Sequence, residues 1–118
     1  MRLESKKYIY DIAHAAKLAA DFIVGKTYSD YLGDAMLRSA VERQLAIAGE
    51  AMVQLAKIDF PTASRFTDYK RIIAFRNVLV HGYAEIDDSI VWDVVQTRSS
   101  VLREEADRLL SDPASRLG

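Results

Sequence analysis

The stretch from about Tyr31 to Ile58 carries Leu37, Val41, Leu45, Ala48, Met52 and Leu55 on one stripe, a 3.6-residue pattern held over many turns. Its centre, Ala46-Ile47-Ala48-Gly49-Glu50-Ala51-Met52, is small and apolar nearly all round, as a helix buried between others must be. Gly49 inside such a helix costs about 1 kcal/mol relative to Ala, and the return is close approach by another backbone. Glu50, its neighbour, then lies near a tight helix crossing.

The rest of the chain supplies the partners. From about Leu3 to Val24, Tyr8, Ile12, Ala15 or Ala16, Ala19 and Ile23 recur at helical spacing, which predicts one long amphipathic helix. Gly25 suits the position after its end, and Lys26-Thr27-Tyr28-Ser29-Asp30 reads as a short polar connection, favouring an antiparallel neighbour. Asp59-Phe60-Pro61 ends the second helix: Pro61 biases Phe60 away from the helical region and suits the first turn of a further helix. A third helix starts loosely over Thr62 to Asp68, firms up through Tyr69, Ile72, Ile73, Phe75, Leu79 and Val80, and ends around Gly82. Asp87-Asp88 then caps a fourth. Its core face is Ile90, Val91, Val94, Val95, Val101, Leu102 and Leu109, and Ser111-Asp112-Pro113 closes it. The expected fold is all-α, an antiparallel four-helix bundle, with residues 1–118 as a single domain.

Composition narrows the chemistry. Five glycines, two prolines and no cysteine in 118 residues fit a helical domain without disulfides or thiolate zinc. A chain this long buries roughly two-thirds of the surface its unfolded form exposes, enough for a core without staples. A net charge of −1 excludes coating nucleic acid by bulk electrostatics but leaves room for a local basic cleft. The N-terminal segment, broken by Asp11, His14, Lys17 and Asp21, is neither a signal peptide nor a membrane span, so a soluble, cytoplasmic protein is expected. With no Gly-rich phosphate loop and no His-x-x-x-His pair, no cofactor or metal is expected.

Reactive groups concentrate in Arg76-Asn77-Val78-Leu79-Val80-His81-Gly82-Tyr83. On a straight helix Ile72, Ile73, Leu79 and Val80 flank Arg76, which places the guanidinium within the apolar stripe. Such a charge is costly unless paired or facing a wet cleft; the partner is Glu50 or an anionic ligand. His81 lies about 140° around the helix from Arg76. The two converge only if the helix ends or bends between them, and Gly82 offers a place to do so.

Arg76-Asn77-x-x-x-His81 resembles the Arg-polar-x-x-x-His signature of HEPN domains, helical bundles many of which are metal-independent RNases. With Gly82-Tyr83 it matches the Arg-x4-His-x-Tyr form of HepT-like toxins. Ala40-Val41-Glu42-Arg43 with Ile47-Ala48-Gly49-Glu50-Ala51 looks like the family's second helix, and Val91-Trp92 like its fourth. The chain departs from the family at Tyr69, where a Trp is usual, and at Arg98-Ser99-Ser100-Val101-Leu102, where a Pro-containing run is usual. The resemblance implies an endoribonuclease toxin acting on RNA, with Arg76 clamping phosphate and His81 as general base or acid. Asn77 would orient the phosphate or the imidazole, and Glu50 would hold Arg76 or set the His81 tautomer. It further implies a homodimer that brings two copies of the motif together. A partner nucleotidyltransferase of the minimal type would transfer AMP to Tyr83 and silence the toxin. The alternative is a non-catalytic helical module that docks on such a nucleotidyltransferase and regulates it.

Plainer roles fit several other residues. His14 reads as a surface or packing residue, and Glu50 equally as a structural ion-pair member. Tyr69, Phe75 and Trp92 read as core or dimer contacts rather than base-stacking platforms. Lys70 and Arg71 read as solvated, with phosphate contact at a rim as their second use.

Overall fold

The computed structural model describes residues 1–82 and 86–112. Among them are seven helices and no strand: α1 (Leu3–Phe22), α2 (Tyr28–Leu32), α3 (Ala35–Ile58), α4 (Phe60–Ala63), α5 (Tyr69–His81), α6 (Asp88–Thr97) and α7 (Ser99–Ser111). The expected four-helix bundle is present, with α1, α3, α5 and the pair α6–α7 as its four rods. Among the described residues no helix is long and apolar enough to cross a membrane, and no group of three His, Cys, Asp or Glu side chains is placed to hold a metal ion.

Two apolar clusters fix the helix directions. One joins Ile9 and Ile12 of α1 to Met52 and Leu55 of α3, Phe66, and Leu102, Ala106 and Leu109 of α7. The other joins Ala19 of α1 to Val41 and Leu45 of α3, Leu79 of α5, and Val91, Trp92 and Val95 of α6. The start of α1 therefore meets the end of α3, and the start of α3 meets the end of α1. By the same reading α5 runs against α3, and α6–α7 against α1. Ser5, fully buried, ties the two ends at one pole by donating to Asp59 Oδ2 at 2.9 Å.

Five boundaries differ from the sequence expectation. The segment expected as a polar connection forms α2, because Thr27 and Asp30 complete a reciprocal capping box that satisfies two orphan amides at once. The helix expected from Tyr31 therefore begins at Ala35, capped by Asp34. Phe60 is helical, not extended: Asp59 takes the break at φ −152° and caps α4, with Pro61 in its first turn. The fourth rod is interrupted at Arg98, whose φ of −110° ends α6 and starts α7. Gly25, at φ +73°, supplies the left-handed residue after α1 but sits two places beyond the cap Ile23.

Candidate functional site

The site is built where α5 crosses α3. Gly49 is buried there, and a Cβ on it would collide with Cβ of Arg76 and lie 2.8 Å from its Cγ. The glycine thus permits the close approach expected from its place in the apolar centre of α3. That crossing lays the Arg76 side chain, 21% exposed, across α3 beside Glu50, and the two form an ion pair.

Arg76 is held from two sides. Its Nη2 donates to Glu50 Oε2, and its Nη1 donates to Asn77 Oδ1 at 2.9 Å. Nε is buried with no acceptor among the described residues. Of the two roles open to Glu50, the structure shows contact with Arg76; Asn77 turns its carbonyl oxygen to the guanidinium, a contact outside the two roles expected of it. Gln54, which sequence reasoning missed, donates Nε2 to Glu50 Oε1 at 3.0 Å. Its spacing of four from Glu50 on a helix was the available signal. The Gln54 hydrogen bond holds the Glu50 carboxyl below its usual range; burial opposes this, and the hydrogen bond and charge of Arg76 reinforce it. Glu50 is therefore a carboxylate at neutral pH, and the guanidinium is braced but still partly open.

His81 is arranged differently. The expectation that the last turn loosens to bring it round to Arg76 is not met: α5 stays regular through His81, and the Gly82 amide donates to Val78 O at 2.8 Å. A helical hydrogen bond at that point keeps the 100° step per residue, so the two side chains remain about 140° apart and about 7.5 Å apart along the axis. His81 is exposed and makes no hydrogen bond or ion pair among the described residues. Tyr83 lies outside the described residues. One protomer therefore assembles Arg76, Asn77 and Glu50 and leaves His81 on a separate face of α5.

Helix α5 is also the least covered rod. It packs chiefly on α3, and Leu79 is its one buried residue. Ala74, Asn77, Val78 and His81 are exposed, Val78 by 42%. Trp92 and Phe75 take the plainer role: Trp92 packs against Tyr28 and Tyr31, and Phe75 against the second apolar cluster. His14 is exposed and stacks on Tyr10 with ring centroids 5.9 Å apart.

Comparison with known proteins identifies the family. The family model described as Ribonuclease HepT-like matches residues 12–109. A Methanocaldococcus jannaschii protein named as a candidate RNase is 29% identical over 102 residues, covering 86% of this chain and 93% of its own. The protein named "Probable ribonuclease HepT" of Thermococcus cleftensis is 28% identical over 109 residues, covering 92% of this chain and 98% of its own. A candidate RNase of Caldanaerobacter subterraneus is 25% identical over 105 residues, covering 89% and 93%. No solved structure matches the chain. With the matched model spanning most of its length, and with its helical fold, the chain belongs to the ribonuclease HepT-like family of the HEPN superfamily.

Proposed function

We propose that the protein is a metal-independent endoribonuclease, the toxin of a toxin–antitoxin pair. The observation that carries this is Arg76, a guanidinium flanked by the apolar residues of α5 and braced by Glu50 and Asn77 over a glycine crossing. A fork held this way is pre-organised for the phosphoryl oxygens of RNA, because its orientation is fixed before the ligand arrives. Catalysis then takes the intramolecular route: a ribose 2′-hydroxyl attacks the adjacent phosphorus while its proton is removed. The bond to the 5′-oxygen breaks and that oxygen is protonated. His81, with an imidazole suited to exchange protons near neutral pH, serves as base or acid, and Arg76 balances the charge that grows on phosphorus-bound oxygen.

The separation of His81 from Arg76 on one unbroken helix supports a homodimer. In an isologous contact along the uncovered face of α5, each protomer contributes its own Arg76 and its own His81 to a shared cleft. Tyr83 comes two positions after His81. AMP placed on it by a partner nucleotidyltransferase adds bulk and a phosphate beside the site, occupying the place of the substrate phosphate and silencing the enzyme.

The test compares wild type with Arg76→Ala, Arg76→Lys and His81→Ala in RNA cleavage with EDTA present, alongside growth on induction. Cleavage and arrest by wild type, lost in all three variants, is the expected result. Arg76→Lys belongs in the set because a point charge does not replace a planar fork. If wild type is as harmless and inactive as the variants while still binding a nucleotidyltransferase, the chain is a regulatory module instead.

A further inference from the structure

A second feature lies one residue away along α3. Between α5 and the α6–α7 rod runs a cleft of about 240 Å³. Leu45 and Ala48 of α3, Ile72 and Phe75 of α5, and Val94 and Leu102 form its apolar floor and walls. Ala48 is next to Gly49, on which Arg76 rests, and Ile72 is one helical turn from Arg76.

Three polar side chains line this cleft with no side-chain partner among the described residues. Ser99 lines it, is 2% exposed, and has an Oγ with no hydrogen-bond partner among the described residues. A buried hydroxyl left unpaired is costly, and a ligand that pairs it removes the cost. Arg71, also lining the cleft, is exposed and has no ion-pair partner among the described residues. Asp93 lines it too, without a side-chain partner among those residues. The other rim charges are engaged: Asp68 pairs with Arg98, and Glu105 accepts from the Thr67 amide and hydroxyl.

We propose that this cleft is a nucleobase subsite for single-stranded RNA, the base lying on the Phe75–Ile72–Leu45 surface with its edge on Ser99 Oγ and its phosphate at Arg71. The inference rests on the ribonuclease reading and deepens it. The volume suits a single ring system rather than a drug-sized ligand. The mixed rim favours a neutral base within the cleft and leaves the phosphate to Arg71, the rim cation without an ion pair among the described residues. Bases are read by stacking on apolar and aromatic surface and by hydrogen bonds at their edges. Asp93 and Ser99 together offer a carboxylate acceptor and a hydroxyl, a pair that selects bases carrying an exocyclic amino group. Uracil, which has none, binds weakest.

The experiment measures binding of four uncleavable 2′-O-methyl pentamers, one for each base, to the full-length protein by fluorescence anisotropy, with Ser99→Ala, Asp93→Asn and Arg71→Gln beside wild type. Expected are weakest binding of the uracil pentamer by wild type and a loss of about 3- to 10-fold for the preferred base in Ser99→Ala. Arg71→Gln weakens all four pentamers alike and lowers the salt slope. Ser99→Ala melts at or above the wild-type temperature, because it removes a hydroxyl that is unpaired without ligand, so lost binding is not lost folding. Wild-type affinity and base preference in both Ser99→Ala and Arg71→Gln overturn the proposal. So does Ser99-dependent binding of free nucleoside monophosphates that the pentamers do not displace, because the site would then serve small nucleotides and not RNA. RNA cleavage by wild type, assayed in parallel, separates the two readings. Cleavage with no role for Ser99 sinks the subsite alone, and Ser99-dependent pentamer binding without cleavage sinks the ribonuclease reading alone.

Discussion

Replacing Gly49 with Ala tests the crossing on which the site depends. In an uncrowded helix the change stabilises by about 1 kcal/mol, because Ala loses less backbone entropy on folding. Here the added methyl would meet Cβ of Arg76 and lie 2.8 Å from Cγ, where ordinary contact starts near 3.4 Å. Those atoms are the root of the side chain and not its mobile tip, so α5 itself must withdraw by more than half an ångström. Overpacking of this kind costs about 1–3 kcal/mol. Because Leu79 is the one buried residue of α5, this helix yields more readily than a core helix, and a net loss of about 1 kcal/mol is expected. For a domain of this size that lowers Tm by about 3–6 °C, read by circular dichroism. Withdrawal of α5 also parts Arg76 from Glu50, so the cost of Gly49→Ala should shrink in a Glu50→Gln background, a coupling that a double-mutant cycle detects. A rise in Tm on Gly49→Ala would refute the close crossing, since it would show the helix gaining propensity with nothing to displace.

Groups elsewhere in the bundle have consequences of their own. Burial, with the charge of Asp88 adding to it, raises the Glu42 carboxyl above its usual 4.5. Stability from this group is greatest below about 4.5 and falls as pH rises through the folded value, so Glu42→Gln should flatten the Tm profile above that point. Asp59 has the opposite sign: burial pushes it up, but hydrogen bonds from Thr62 and Ser5 outweigh that and leave it below 3.8. Its contribution is present at neutral pH and lost as the solution is acidified below 3.8, and Asp59→Asn should remove that acid limb in urea titrations. Thr67→Val cuts the hydroxyl link to Glu105 that ties the entry of α5 to α7; a loss of about 0.5–1.5 kcal/mol is expected in denaturant melts, with faster hydrogen exchange at the start of α5.

Helix positions, the buried stripe of α3 and the value of Gly49 are legible in the sequence because they rest on short-range periodicity and on what glycine alone permits. The apolar setting that requires a partner for Arg76 is legible for the same reason, whereas Arg76, Asn77 and His81 stand out by their clustering and by the resemblance of their spacing to a family signature. What the chain alone left open was settled by contacts between distant segments. Glu50 meets Arg76 across a separation of 26 residues, and Gln54 steadies Glu50 only because that pair exists. The capping box of α2 was written in Thr27 and Asp30 but hidden by a helix of five residues, too short to show a period. The break at Arg98 occurs without a proline, where the guanidinium reaches Asp68 at the head of α5, and no local pattern marks it. The sequence by itself thus determined the four rods and the residues to watch, since backbone propensity and periodicity are local. Only the tertiary structure decided that Arg76 is braced by Glu50 and Asn77 while His81 stands on another face, because that depends on an α5 that stays helical to its last residue and on a glycine that lets it lie against α3.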